Sequence, residues 1–351
     1  MRVETVMLGP DTEQYAGDGI ASASLSDIAQ AAGRLEGLGF DGITAPEAGH
    51  DPYLPLAIAA EHTEAVDLGT NVAIAFPRSP MITAQLAWDL QHYSGGRFRL
   101  GIGTQVKPHV TRRYAADWRG APGPRLREYI LCLKAIFATF QHGAAPDFRG
   151  EQYEFSLCPP FFNPGPIEFP EIPIQIAAVN PYMGRLAGEL CEGLRLHPIA
   201  TFRFTQEVLV PAIAAGAAKA GRAPEDVDLI GAPFLVVAET EEEMDQARLD
   251  LKQHIAFYAS TPTYHSVLEF HGWMDAAEAL HRLSREGRWK EMPAVITDEM
   301  LDEWAVIATA DKFADRVRER CEGLFSTVLL DLPGGLRADD DWVRETVSAL
   351  K

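Results

Sequence analysis

The sequence is poor in cysteine and in positive charge, and it has no long hydrophobic run. Four cysteines, Cys132, Cys158, Cys191 and Cys321, lie far apart and form no metal-ligand pattern. They read as reduced, mostly buried thiols of a cytoplasmic protein. The ten histidines include no His-x-His and no His-Glu-x-x-His, which argues against a zinc hydrolase. No Gly-x-Ser-x-Gly occurs, which argues against a serine hydrolase. Fifty acidic residues stand against 31 basic ones, a formal charge of −19 that disfavours nucleic acid and anionic membranes as partners. No apolar run could span a bilayer, and the N-terminus reads as a strand rather than a signal peptide.

What the chain does have is an ordered alternation of strands and helices, plainest between Asp67 and His109. Leu68 to Ala75 and Arg97 to Ile102 are short apolar runs without strict alternation, as expected of strands covered on both faces. Between them, Pro80 to Tyr93 carries Ile82, Leu86, Leu90 and Tyr93 at helical spacing. Ser79 can cap this helix, Pro80 suits its first position, and Gly95-Gly96 ends it. The stretch is a strand-helix-strand unit, and its chemistry should sit in the loops after Ala75 and Ile102.

Taken in order, the strands are Val3 to Leu8, Asp41 to Ala45, Leu68 to Ala75, Arg97 to Ile102, Ile174 to Val179, Gly193 to Leu196, Asp228 to Ala238 and Phe325 to Asp331. Helices separate them. The first is capped by a Ser24/Asp27 box; others cover Pro52 to Ala65, Arg125 to Phe140, Pro181 to Cys191, Phe202 to Ala220 and Glu241 to Tyr258. Asp311 to Cys321 is the last. Eight strands alternating with helices predict a (β/α)₈ TIM barrel in α/β class. It forms a single domain over 1–351, with insertions at about 143–172 and 259–308. Trp273, Trp289 and Trp304 in the second insertion read as packing anchors. A doubly wound open sheet is the alternative; the missing Gly-x-Gly-x-x-Gly turn after strand one weighs against it.

Three loops carry candidate chemistry. After strand two, Glu47, His50 and Asp51 lie close together. A carboxylate and an imidazole at a barrel mouth can exchange protons near neutral pH, although Asp51 suits a helix cap and His50 could simply be exposed. After strand four, Gly101-Ile102-Gly103-Thr104-Gln105-Val106-Lys107-Pro108-His109 combines glycines that admit close approach with the donors Thr104, Gln105, Lys107 and His109. After strand five, Ala177-Ala178-Val179-Asn180-Pro181 opens a helix whose free amides could hold a phosphate, or is an ordinary turn. Lys107, Arg112, Arg113, Arg119, Arg125 and Arg127, against the single acid Asp117, form either a solvated face or a positive rim for an anionic ligand.

Leu38-Gly39-Phe40-Asp41, Leu68-Gly69-Thr70-Asn71-Val72, Ser94-Gly95-Gly96-Arg97-Phe98, Leu100-Gly101-Ile102-Gly103-Thr104, Phe148-Arg149-Gly150-Glu151 with Tyr153, and Ile176-Ala177-Ala178 occur in an order and spacing that resemble the luciferase-like monooxygenase superfamily. The resemblance is to its branch of deazaflavin oxidoreductases, which use coenzyme F420. It implies a barrel with the ring system at the C-terminal mouth and a non-proline cis bond in a bulge at strand three, here Asn71-Val72. Thr104, Gln105 and Lys107 would line the ring or ribityl chain. The amides of Val179 and Asn180, next to Ala178, would hold the phosphate, and His197 would border the pocket. The sequence departs from many relatives at Val179-Asn180, where they have glycines, and at Ala48, where they have histidine. Proton transfer would then fall to Glu47 and His50 as a pair, with His109 the competing base.

The implied activity is hydride transfer between the deazaflavin and a small alcohol, aldehyde or enone. The same motifs are shared by flavin mononucleotide (FMN) monooxygenases, which leaves FMN as the alternative cofactor, and a deazaflavin-binding protein without turnover is the third option. Expected partners are a small-molecule substrate and, as an open option, a second copy in a homodimer.

Overall fold

The structure, a computed structural model, describes residues 1–7, 24–332 and 339–351. Its principal sheet contains nine strand segments: β1 (Arg2–Val6), β2 (Gly42–Ala45), β3 (Asp67–Thr70), β4 (Ala73–Ile74), β5 (Phe98–Gly103), β8 (Ile174–Ala178), β9 (Gly193–Leu196), β10 (Asp228–Gly231) and β13 (Thr327–Leu330). Two short strands, β6 (Phe148–Arg149) and β7 (Glu154–Phe155), form a separate antiparallel pair. The sheet runs β3-β2-β1-β13-β10-β9-β8-β5-β4, and β3 also pairs with β5, so it closes. β3 and β4 are halves of one stave interrupted at Asn71 and Val72, which leaves eight parallel staves and the (β/α)₈ barrel expected from the alternation.

The chain divides into two units, one of 6–177 with 189–193, the other of 1–5, 178–188 and 194–351. In the first, local chemistry explains the elements well. Helix α3 spans Pro80–Tyr93, and the Ser79 hydroxyl accepts from the Ile82 amide at 3.2 Å. Gly95 and Gly96 follow at φ +64° and +91°, angles that favour glycine. Buried Trp88 packs against Phe137 and donates to the Gly165 carbonyl at 3.1 Å. Arg97 then spreads its guanidinium over the carbonyls of Ser94, Val66, Ala60 and Thr63 and the Thr63 hydroxyl, fastening the end of one helix to the start of the next strand. That is the physical content of the Gly-Gly-Arg motif.

Helix α1 begins at Ile28, and Asp27 makes no capping bond; Ser24 instead bonds the Asp27 carboxylate, so the expected box is not a helix cap. Leu8, expected to end the first strand, lies outside the described residues. Helix α2 is Tyr53–Glu61, shorter than expected, and Asp51 does cap it through the Tyr53 and Leu54 amides.

In the second unit, the expected strand 228–238 is two strands. Only β10 joins the barrel, beside β13; β11 (Phe234–Val237) pairs with β12 (Ala305–Ala308) in a two-stranded parallel sheet. The second insertion is largely helical, with Met274–Arg285 and Asp298–Trp304 among its helices, but ends in that strand. The helix Phe313–Cys321 is not the last: Asp340–Leu350 follows, capped by Asp339. Trp304 is a buried anchor whose indole donates to the Ile199 carbonyl at 2.6 Å, whereas Trp289 is 44% exposed and anchors nothing comparable. Inside this unit Glu4 on β1 and Arg195 on β9 form an ion pair at 2.9 Å, each side chain 3% exposed.

All four cysteines are free thiols. Among the described residues no helix is long and apolar enough to cross a membrane, and no cluster of histidine, cysteine and carboxylate side chains could hold a metal ion.

Candidate active site

In the first unit the strand ends of β2, β4 and β5 bring several of the expected residues together. The Asn71–Val72 peptide bond is cis, as the resemblance implies. Val72 lies against the last residue of β5: a β-carbon at Gly103 would come within 2.8 Å of Val72 Cγ2 and 3.6 Å of Ala177 Cβ. Glycine at that position lets the bulge and the strand end approach each other.

Glu47 is the best-held side chain of the group, 5% exposed. Its Oε2 accepts from the Ile74 amide at 2.7 Å and from Arg78 Nη1 at 2.6 Å; its Oε1 accepts from the Tyr114 hydroxyl at 3.0 Å. Arg78 also reaches Asp51 at 2.9 Å and lies over the Tyr53 ring at 5.5 Å. Burial works against the Arg78 charge, but the Glu47 carboxylate outweighs it and holds the pKa above the ordinary value. Burial, with the Glu47 charge second, raises the Tyr114 phenol.

His50 does not share this network. Its side chain is exposed, and among the described residues it makes no hydrogen bond to Glu47. The Glu47 oxygens accept from three other donors, and the two residues expected to act together as acid and base are not hydrogen-bonded to each other. His109 is likewise exposed, at the start of a single π-helical turn over His109–Arg113.

On the same loop Thr104 and Gln105 are half-buried and Lys107 is exposed. Gln105 has φ +55°, unusual for a residue with a side chain, and its own carbonyl oxygen Oε1 accepts from the Val106 amide at 2.9 Å.

The basic run is more used internally than its sequence suggests. Arg119 pairs with Asp117 and Arg127 with Glu189. Arg125 is buried over the Phe76 ring and bonded to the Tyr153 hydroxyl and the Asp117 carbonyl. Arg113 donates to the Ala48 carbonyl. Lys107 and Arg112 are exposed and enter no ion pair among the described residues.

In the second unit Ala178 and Val179 are buried, and Asn180 Oδ1 accepts from the Met183 amide at 3.0 Å, capping the helix Pro181–Leu190. The Asn180 side chain thus does local structural work, in keeping with the ordinary-turn alternative, while the backbone before it leads into a helix N-terminus suited to an anion. His197, just past β9, stacks on Tyr264 at 4.8 Å and meets the edge of Tyr258 at 4.6 Å. Its Nδ1 accepts from the Ile199 amide at 3.2 Å, so the neutral ring carries its proton on Nε2. Burial, and then neighbouring His254, bring its pKa down to about 4.

Sequence reasoning missed Arg78 and Tyr114 around Glu47, and His254, Tyr258 and Tyr264 around His197. Arg78 stands in Phe76-Pro77-Arg78-Ser79-Pro80, where a helix start was legible but a carboxylate partner was not.

A family model described as luciferase-like monooxygenase matches residues 5–327. An uncharacterized protein of Mycobacterium tuberculosis is 43% identical over 312 residues, covering 89% of this chain and 92% of that one. The 5,10-methylenetetrahydromethanopterin reductase of Archaeoglobus fulgidus is 32% identical over 291 residues, covering 81% and 82%. Among solved structures, the coenzyme F420-dependent tetrahydromethanopterin reductase of Methanopyrus kandleri superposes with a TM-score of 0.74 at 21% identity, over 99% of this chain and 98% of that one, a likeness of fold. On a match that runs through nearly the whole barrel, the chain belongs to the luciferase-like monooxygenase family.

Proposed function

We propose that this enzyme is a coenzyme F420-dependent oxidoreductase that moves a hydride between the deazaflavin and a small organic substrate, an alcohol, aldehyde or enone. Two observations support the cofactor assignment: the Archaeoglobus relative, matched over most of both chains, is a methylenetetrahydromethanopterin reductase, and a reductase of that kind from Methanopyrus, alike in fold, is named as F420-dependent. The residues fit such a group. In one unit Gly103 lets the end of β5 pack against Val72 of the bulge, followed by half-buried Thr104 and Gln105; taken by itself, the other unit opens a helix N-terminus at Val179 and Asn180 that suits a phosphate.

When bound, a deazaflavin supplies a hydride carrier with carbon in place of the central flavin nitrogen. The chain's own task is to fix the ring, exclude water and move a proton at the substrate oxygen or carbon. His50 and His109, both exposed and not bonded into Glu47's network, are the groups we assign to that proton. Replacing each by alanine should leave cofactor affinity nearly unchanged, and the variant that removes the proton carrier should lower turnover about 10²-fold or more.

The reductase relatives favour a second substrate class, a methylenetetrahydromethanopterin-type compound, which a substrate panel should include. The test of the cofactor is a binding titration of the purified protein with F420 and with FMN. Tighter F420 binding is expected. Equal or tighter FMN binding would replace this proposal with the FMN monooxygenase alternative, and F420 binding without hydride transfer to any substrate would favour a binding protein.

A further inference from the structure

We propose that Glu47, clamped by Arg78 and Tyr114, is a positioning residue that locks the backbone after the strand-three bulge to the loop after strand four. It does not itself move the proton. The inference rests on the cofactor proposal only for its functional readout. Two chain segments distant from Glu47 in sequence meet at this one carboxylate: 74–78, through the β4 amide of Ile74 and the Arg78 guanidinium just before α3, and the end of the π turn, through Tyr114.

Each oxygen is directed at a structural donor. A carboxylate offers about four lone-pair sites. Three are filled here, two at 2.6–2.7 Å, the short range of charge-assisted bonds. A general base must be within reach of a substrate proton with a free lone pair aimed at it. The Glu47 side chain is 5% exposed, with its oxygens aimed at the protein's own donors. Arg78 also returns a bond to the Ile74 carbonyl at 3.1 Å, so both backbone groups of that residue are held by the same ion pair. Asp51, which caps α2 and takes the other side of the Arg78 fork, extends the clamp to the next helix.

The clamp matters because Ile74 follows directly on the bulge that the family resemblance places behind the cofactor ring. A wall that shifts when its carboxylate is removed would bind the ring loosely without altering the proton chemistry.

The experiment compares wild type with Glu47→Gln, Arg78→Met and Tyr114→Phe by two independent measurements. The first is amide hydrogen exchange of the 71–78 segment in the protein without cofactor. Arg78→Met and Glu47→Gln should speed exchange there by about 10-fold or more, and Tyr114→Phe less, since it removes one neutral donor. The second is cofactor affinity together with the pH profile of kcat, using whichever of F420 or FMN the wild type binds. Affinity should fall by about 10-fold in Glu47→Gln and Arg78→Met, with the shape of the pH profile kept. Unchanged exchange in the segment would overturn the clamp. Loss of one limb of the pH profile in Glu47→Gln, with affinity kept, would make Glu47 the proton carrier and overturn the positioning role. Should Glu47→Gln fail to fold, Tyr114→Phe and Arg78→Lys carry the same readouts. A wild type that binds FMN alone would sink the F420 proposal while leaving the exchange test intact.

Discussion

Val72 Cγ2 sits 2.8 Å from the point where a β-carbon on Gly103 would lie. The end of β5 and the bulge between β3 and β4 therefore share one slot, sized for a glycine.

Gly103→Ala should force Val72 out of that slot or push the strand end back. Overpacking of this kind costs about 1–3 kcal/mol. Denaturant unfolding of the protein without cofactor should show that loss, and cofactor affinity should fall with it. A variant as stable as wild type, with unchanged affinity, would show that the slot has room to give.

Lys107 and Arg112 are exposed members of the basic run with neither an ion pair nor a side-chain hydrogen bond among the described residues. If they meet an anionic part of the cofactor, Lys107→Glu with Arg112→Glu should weaken binding several-fold, and added salt should narrow the gap between variant and wild type. The check is a fluorescence titration at two ionic strengths. Arg119→Glu is the control, since Arg119 is already paired with Asp117. An equal loss for control and double variant would assign the effect to overall charge.

His197, His254 and His271 are each brought down to about 4, by burial first; His254 adds to the effect at His197 and Arg203 at His271. The unfolded chain binds a proton on these rings near pH 6.5, the folded protein only near pH 4. Between those values the unfolded state holds more protons, so stability rises with pH. The stabilisation is complete above about pH 6.5 and is lost as pH falls toward 4. Unfolding midpoints measured across that window should drop for wild type and drop less for His197→Gln, whose side chain does not titrate. Parallel curves would remove His197 from the account.

Much of the fold was legible because its signals are local. Ser79, Pro80 and the paired glycines set both ends of α3 within a turn of their own positions, and Gly193–Leu196 is a strand as its place in the alternation implies. The candidate site was legible by resemblance only at the bulge of Asn71 and Val72, to which motifs at family spacing pointed. It was not legible in its partnerships. Glu47 finds Arg78 and Tyr114 at separations of 31 and 67 residues, too far for any local signal to pair them.

The sequence alone determined the alternation, and hence the eight staves, because hydrophobic runs and helix caps act over a few residues. Only the tertiary structure decided that 228–238 divides between two sheets, that Ala305–Ala308 leaves a helical insertion to become a strand, and that Glu47 rather than His50 is enclosed. Those outcomes depend on which distant backbone offers an unpaired donor, acceptor or edge, and a buried polar group takes the partner that folding brings to it.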